Sequence, residues 1–458
     1  MEAGTNTAQE NQQSDIPELP SYKPQPAPIV KILLFLVIAL LLGAGGGFAW
    51  TYFGQQKTGV LPEKKSPEPL VIAKPGEQFT TPEKIPLAHT AFGLDILGSL
   101  AKGEDSGKNI FISPSSIALA FSMVYNGAAS QTKKAIATTM HISNLDIQEL
   151  NKASASLINK LQNPDPDIEL SLANSIWARE GFSFTPDFLA TNKQYYQAQI
   201  ESLDFSKEDA ADIINKWVSA NTKDKIKTIV DKPISPDTVM YLINALYFKG
   251  SWTIEFDEKL TANREFALVN GSKLQQPFMK QKRDDFMYLE NDNFQAVKLP
   301  YGKNKSLNMY VFLPKSGLEN FLKTLTVDSW AGWLKDFNEM EGTLLLPKFK
   351  IEYDQKLSGT LKALGMNIAF SPEADFSLAR PEKDIFISEV KHKTFIDVNE
   401  KGTEAAAATS IEMRATAVMN PSPKKTFYME VNRPFFFSIV DNESQEILFM
   451  GIINEPKI

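Results

Sequence analysis

The 458-residue chain contains no cysteine. Disulfides, thiolate metal sites and a cysteine nucleophile are excluded together, although the compartment is not fixed by this. Histidine is almost as scarce, with only His89, His141 and His392. No two of these are near neighbours, so a local histidine metal motif is missing, and His89 and His141 read as surface or helix-end residues. The motifs G-x-S-x-G, H-E-x-x-H and G-x-x-x-x-G-K do not occur. The segment GEDSGK at 103–108 is one residue short of the last of these and reads as a polar turn between a helix and a strand. Asp284 and Asp285 lie in a charged, solvated run. A net charge of −7 supplies no basic stripe for nucleic acid. No enzyme, cofactor or metal site is expected.

At 43% hydrophobic and 22% charged residues the chain is globular in composition. Residues 1–28 are polar and proline-rich and read as a disordered tail. Within 29–53, Ile32 to Trp50 carries no charge and as a helix would span roughly 28 Å, close to a bilayer core of ~30 Å. Trp50, Tyr52 and Phe53 fit an interfacial belt. The other reading is a cleaved signal peptide, with Ala44-Gly45-Gly46 as the small-residue site. The acidic stretch before the core, with Glu2, Glu10, Asp15 and Glu18, favours a single-pass transmembrane anchor over it. Residues 54–85 form a proline-rich linker, and 86–458 read as one domain.

Inside that domain, helices are expected at 87–102, 114–127 and 130–139. Strands follow in TVMYLINALYFKG, FQAVKLPYG, LNMYVFLPK, GTLLLPKFKIEY and TFIDVNEKG. RPFFFSIVDN and EILFMGIIN read as a buried terminal hairpin. The class is α+β.

One stretch combines two patterns. EKGTEAAAATSIEMRATAVM (400–419) is alanine-rich and helix-prone, yet it alternates with period 2. Thr403, Ala405, Ala407, Thr409, Ile411, Met413 and Ala415 are small or apolar. Glu404, Ala406, Ala408, Ser410, Glu412, Arg414 and Thr416 hold every charge from Thr403 onward. No proline lies between Pro381 and Pro421, so a strand made from this segment would lack no ladder donor.

Five dispersed motifs in order resemble the serpin family. They are NIFISPSSIALAFSMVYNGA (109–128), INALYFKGSW (243–252), LLLPKFKIEYDQKLSGTLKALGM (344–366), KHKTFIDVNEKGTEAAAAT (391–409) and NRPFFFSI with LFMGIIN (432–454). The resemblance spans about 86–458. It implies a fold of roughly nine helices and three β-sheets, with an exposed reactive-centre loop that inserts as a new strand into the central sheet once a protease cuts it. It implies a suicide inhibitor of serine endopeptidases, or of papain-like cysteine proteases, acting as a monomer. A non-inhibitory binding or chaperone module is the alternative, but such members carry charge, bulk or proline on the inserting face and this chain does not. By the same resemblance the hinge comprises Glu400, Gly402, Thr403, Glu404, Ala405, Ala406, Ala407, Ala408 and Thr409. Ser113, Ser116, Asn244 and His392 match the shutter beneath the point where the sheet parts, and Trp252 matches the breach tryptophan where insertion begins. Counting from Glu400 puts the reactive bond at Thr416-Ala417, with Arg414 and Met419 as alternatives because the loop is long. Small residues there favour an elastase-like or subtilisin-like target. Such targets imply a domain outside the cytoplasm, tethered by the N-terminal helix or secreted after signal cleavage. Lys57, Lys64 and Lys65, set against Lys23 and Lys31, count slightly the other way. Isolated pairs such as Lys133-Lys134 give no basic helix for a polyanion.

Overall fold

The computed structural model describes residues 84–103, 105–162, 165–403 and 425–458. The segment 29–53, the linker before Lys84, and residues 404–424 lie outside them. Glu404 to Thr409, Arg414, Thr416, Ala417 and Met419 therefore have no structural account. Among the described residues no helix is long and apolar enough to cross a membrane.

The first third of the domain is mainly helical: α1 (Lys84–Lys102), β1 (Ile110–Ile112), α2 (Pro114–Tyr125), α3 (Ser130–Thr139) and α4 (Ile147–Gln162). β2 (Ile168–Arg179), α5 (Pro186–Tyr196), β3 (Gln199–Leu203), α6 (Ala210–Asn221) and β4 (Met240–Ser251) follow. Next come β5 (Ala262–Ala267), β6 (Lys273–Glu290), β7 (Phe294–Tyr301), β8 (Leu307–Pro314), α7 (Leu318–Thr324) and α8 (Val327–Lys335). The chain continues through β9 (Asn338–Pro347), β10 (Phe349–Lys356), α9 (Ser358–Leu361), β11 (Glu389–Asn399) and β12 (Gly402–Thr403). It ends in β13 (Thr426–Glu430), β14 (Phe435–Asp441) and β15 (Ile447–Ile453).

α2 is buried along its whole length, as its apolar circumference requires. Ser113 caps its first turn by accepting from the Ser116 N–H, and Pro114 follows where a missing N–H is harmless. The helix lies over the six-stranded sheet, ordered β3-β2-β4-β11-β10 with β12 wedged between β4 and β11 at one end. β4 and β11 run parallel from Tyr241 opposite Glu389 to Tyr247 opposite Phe395. On the other face, Trp177, Tyr241, Ile243 and Ala245 pack with Ile214 and Val218 of α6 in a separate apolar cluster.

The remaining strands form one continuous nine-stranded ladder, β1-β15-β14-β8-β7-β6-β9-β13 with β5 on β6. Two of the three expected sheets meet here in β6. This strand pairs with β5 and β9 over most of its length and with β7 at its end, and a register shift between Arg283 and Phe286 marks the change. The run GTLLLPKFKIEY is divided at Lys348, so that β9 belongs to the nine-stranded sheet and β10 to the six-stranded one. The terminal hairpin forms as expected, with Phe111 stacked between Phe437 and Phe449.

His89 corrects the surface or helix-end reading. It is buried on the inner face of α1, and its Nδ1 lies 2.7 Å from Glu446 Oε1 in the β14–β15 turn. The turn folds back over the helix and supplies a polar partner from 357 residues away. His141 does stand exposed beyond the end of α3, hydrogen-bonded to Asp95.

Candidate functional site

The segment expected to form the hinge begins where β11 ends. Past Phe395 and Tyr247 the parallel pairing of β4 and β11 stops, and the chain turns back on itself to enter the opening. Gly402 pairs with Asn399 on one side and Ser251 on the other, and Thr403 with Val398 and Gly250, antiparallel to both. Gly402 has φ +145°, and a Cβ there would lie 2.1 Å from the Gly250 carbonyl oxygen. Only glycine suits both the backbone angle and the approach.

Several contacts hold this turn. The Trp252 backbone N–H donates to the Lys401 carbonyl and the Phe256 N–H to that of Glu400. The Trp252 indole donates to the Asn399 carbonyl at 2.9 Å and stacks on Tyr301 at 4.3 Å. Glu400 accepts from Thr261 Oγ1 at 2.8 Å and pairs with Lys348 at 2.9 Å. Burial alone would raise the Glu400 carboxyl, but these partners outweigh it and hold it below the usual carboxylate range. Thr403 is fully buried, and its hydroxyl shares a 2.7 Å hydrogen bond with the Tyr301 phenol.

Beneath the hinge, the four residues Ser113, Ser116, Asn244 and His392 converge on the β4–β11 seam, and their donor directions can be assigned from one fixed point. The Ser113 backbone N–H can only donate, and it does so to His392 Nε2 at 3.2 Å. The imidazole proton therefore sits on Nδ1 and is donated to Asn244 Oδ1 at 2.6 Å. Asn244 Nδ2 is then the donor to the Ser116 hydroxyl, to the Ser116 carbonyl at 3.0 Å and to Asn174 Oδ1 at 2.5 Å. The Ser113 hydroxyl donates to the Leu448 carbonyl at 2.6 Å, anchoring the cluster to β15. Burial without a carboxylate partner pushes the His392 pKa down to about 3, so the ring is neutral. His392 and Asn244 face each other across the seam, and their hydrogen bond is a side-chain tie between β4 and β11.

Among the described residues there is no cluster of metal ligands. At the end of the seam, Gly402 and Thr403 pair with β11 on one side and β4 on the other. The model of the family described as serpin (serine protease inhibitor) matches residues 87–456. The chain belongs to the serpin family. It is 34% identical over 387 residues to human leukocyte elastase inhibitor, which covers 82% of this chain and all of that protein. An uncharacterised serpin-like protein of Methanosarcina mazei is 35% identical over 380 residues, 81% of this chain and 87% of that one. Among solved structures, the thermophilic serpin tengpin in its native state superimposes with a TM-score of 0.76 at 33% identity, covering 84% of this chain and 97% of the other. Human thyroxine-binding globulin complexed with thyroxine gives 0.75 at 27% identity, covering 83% and 100%. The serpin fold is thus shown, with nine α-helices among the described residues.

Sequence reading missed Asn174, Tyr301, Thr261 and Lys348. Asn174 carried a signal, being an amide on the otherwise apolar inner face of LSLANSIWA. Tyr301 read as one more apolar strand residue, and nothing local to Thr261 or Lys348 indicates Glu400.

Proposed function

We propose that this serpin is a suicide-substrate inhibitor of serine endopeptidases, whose cut loop enters the β4–β11 seam as a full strand. The docked pair Gly402–Thr403 carries the reading, because it defines the register that insertion would extend. Continued along the same ladders, Ala405 falls opposite Phe248 and Ile396, and Ala407 opposite Leu246 and Thr394. Thr409 falls opposite Asn244 and His392, and Ile411 opposite Leu242 and Val390. All eight partners are buried. In the inserted strand the small and apolar set would meet the core, while Ala408, Ser410 and Glu412 would pass under α6. Thr409 would separate Asn244 from His392 and offer a hydroxyl in exchange.

The energetics favour insertion. The parallel ladder of seven residue pairs between β4 and β11 would be replaced by antiparallel ladders on both sides of the new strand. About a dozen added bonds at a net ~1 kcal/mol each, with the apolar burial, supply ~10 kcal/mol or more. That matches the whole stability of an ordinary domain, so the uncut form is kinetically trapped.

The protease serine would attack the Thr416 carbonyl carbon, releasing the Ala417 amine and leaving an acyl-enzyme for the moving strand to drag. Arg414 and Met419 are the alternative sites. The likeness to leukocyte elastase inhibitor and the small residues Ala415, Thr416 and Ala417 support an elastase-like target, with a subtilisin-like enzyme also suited and a papain-like cysteine protease less so. The 29–53 segment would tether the domain outside the cytoplasm, or be removed as a signal. The likeness to thyroxine-binding globulin supports the alternative of a binding module that inhibits nothing. Incubation with a panel of serine and cysteine proteases decides between them. An SDS-stable complex supports inhibition, and uniform cleavage without complex supports the binding module.

A further inference from the structure

Asn-x-Ser triplets stand at Asn270, Asn304 and Asn442, while Pro421 disqualifies Asn420. All three asparagines are exposed, so exposure does not separate them. Their serine hydroxyls do.

Asn270-Gly271-Ser272 forms the tip of the β5–β6 hairpin. The Leu268 N–H donates to the Ser272 carbonyl at 2.8 Å, and the Gly271 N–H to the Leu268 carbonyl at 2.9 Å. Gly271 has φ +82°, and a Cβ there would meet nothing within 4 Å, so the tip stands in open space. The Ser272 N–H and hydroxyl both donate to Asn270 Oδ1, at 3.0 and 2.7 Å, which makes an Asx turn. Asn270 Nδ2 donates to no described residue. At the other two triplets the hydroxyl is engaged or enclosed. Ser444 Oγ donates to Asp441 Oδ1 at 2.7 Å, so the turn there is built on the neighbouring aspartate, and Asn442 Oδ1 accepts from Lys298. Ser306 Oγ is buried without a partner.

We infer that Asn270 is an N-glycosylation site, taking an oligosaccharide from a lipid-phosphate-linked donor. The inference rests on the proposed location of the domain outside the cytoplasm. Asn270 Nδ2 attacks the anomeric carbon of the donor's first sugar. A C–N bond forms as the C–O bond to phosphate breaks, the lipid phosphate leaves with the electron pair, and the Nδ2 proton goes to a base of the transferase. An amide nitrogen is a poor nucleophile because its lone pair is delocalised towards Oδ1. Two donors on Oδ1 favour the deprotonated amide and so ease the loss of that proton. The tip is closed within five residues, and a hairpin forms in roughly 1–10 μs, so the turn is present before the rest of the domain has folded. β5 separates the tip from Thr261, which holds Glu400, by roughly 20 Å. A hydrophilic chain at Asn270 therefore leaves the seam clear.

The test is mass spectrometry of the full chain isolated from the native host, with the tryptic peptide 265–273 as the readout. That peptide is expected to carry one oligosaccharide, with the peptides holding Asn304 and Asn442 unmodified. Ser272→Ala is expected to lose the glycan and Ser272→Thr to keep it. A bare 265–273 peptide, from a domain that added protease releases from intact cells, overturns the inference and leaves the location standing. A domain released only after lysis overturns the location and the inference with it. Glycans at Asn304 or Asn442 with Asn270 bare overturn the choice of acceptor. Complex formation with proteases is read separately, so its absence counts against the inhibitor reading alone.

Discussion

The Thr403 hydroxyl hydrogen-bonds the Tyr301 phenol at 2.7 Å, with both side chains buried beneath Trp252. The first position of the proposed inserting set is therefore already seated, in a neutral and fully buried socket. Burial pushes the Tyr301 phenol far above its ordinary pKa, so it stays a hydrogen-bonding hydroxyl at any working pH. A long cation cannot share this socket. Thr403→Arg should be cut by the target protease as a substrate, with the stoichiometry of inhibition rising at least ten-fold and little SDS-stable complex on gels. Inhibition equal to the parent's would mean that this face does not enter the sheet.

Gly402→Ala tests the turn rather than the socket. A methyl group at φ +145° against the Gly250 carbonyl forces the chain out of its antiparallel pairs, at a local cost of about 1–3 kcal/mol. Amide exchange at Thr403 and Trp252 should accelerate at least ten-fold, since the Trp252 N–H donates to Lys401 within the same turn. Unchanged exchange would show that the hinge does not depend on its glycine.

His392 gives a pH dependence. Its folded pKa, about 3, is below the ordinary value of 6.5, so the folded form resists protonation. The stability it contributes is fully present above about pH 6.5 and is lost as pH falls towards 3. At pH 5 the loss is about 2 kcal/mol at ~1.4 kcal/mol per unit. A protonated ring also cannot accept from the Ser113 N–H, so the seam should loosen with it. Urea unfolding of the native form should accelerate between pH 6.5 and 4.5, and His392→Gln should flatten that dependence. An equally steep profile in the variant would assign it to another group.

These three sites were unequally legible beforehand. Gly402, Thr403 and His392 were placed by motif and by the period-2 pattern, because a strand-forming segment declares its faces locally. Tyr301, Asn174 and the Lys348–Thr261 clamp on Glu400 were not, because each completes a contact across a gap of 52 to 139 residues. His89 misled for the same reason, its partner Glu446 lying in the terminal hairpin. The three helices and the strand runs named in the sequence are present, whereas α4 to α8 and the strands β2, β3, β5 and β6 were not read there. The merging of two expected sheets through β6 depended on a bulge that no side-chain pattern announces.

The proposed anchor makes a separate prediction. Added protease should release the 86–458 domain from intact cells of the native host by cutting within 54–85. Release only after lysis would place the domain inside. A mature soluble form beginning near Gly47 or Trp50 would show a cleaved signal.

The central claim is tested most directly by the peptide that leaves when a complex forms. The serpin is incubated with an elastase-like protease, the SDS-stable complex is isolated, and the released C-terminal fragment is weighed by mass spectrometry. A fragment beginning at Ala417, together with a covalent complex, is the predicted result. Fragments beginning at Ala415 or Asn420 in the stable complex would move the bond to Arg414 or Met419. Complete cleavage with no stable complex, across the whole protease panel, would contradict the account.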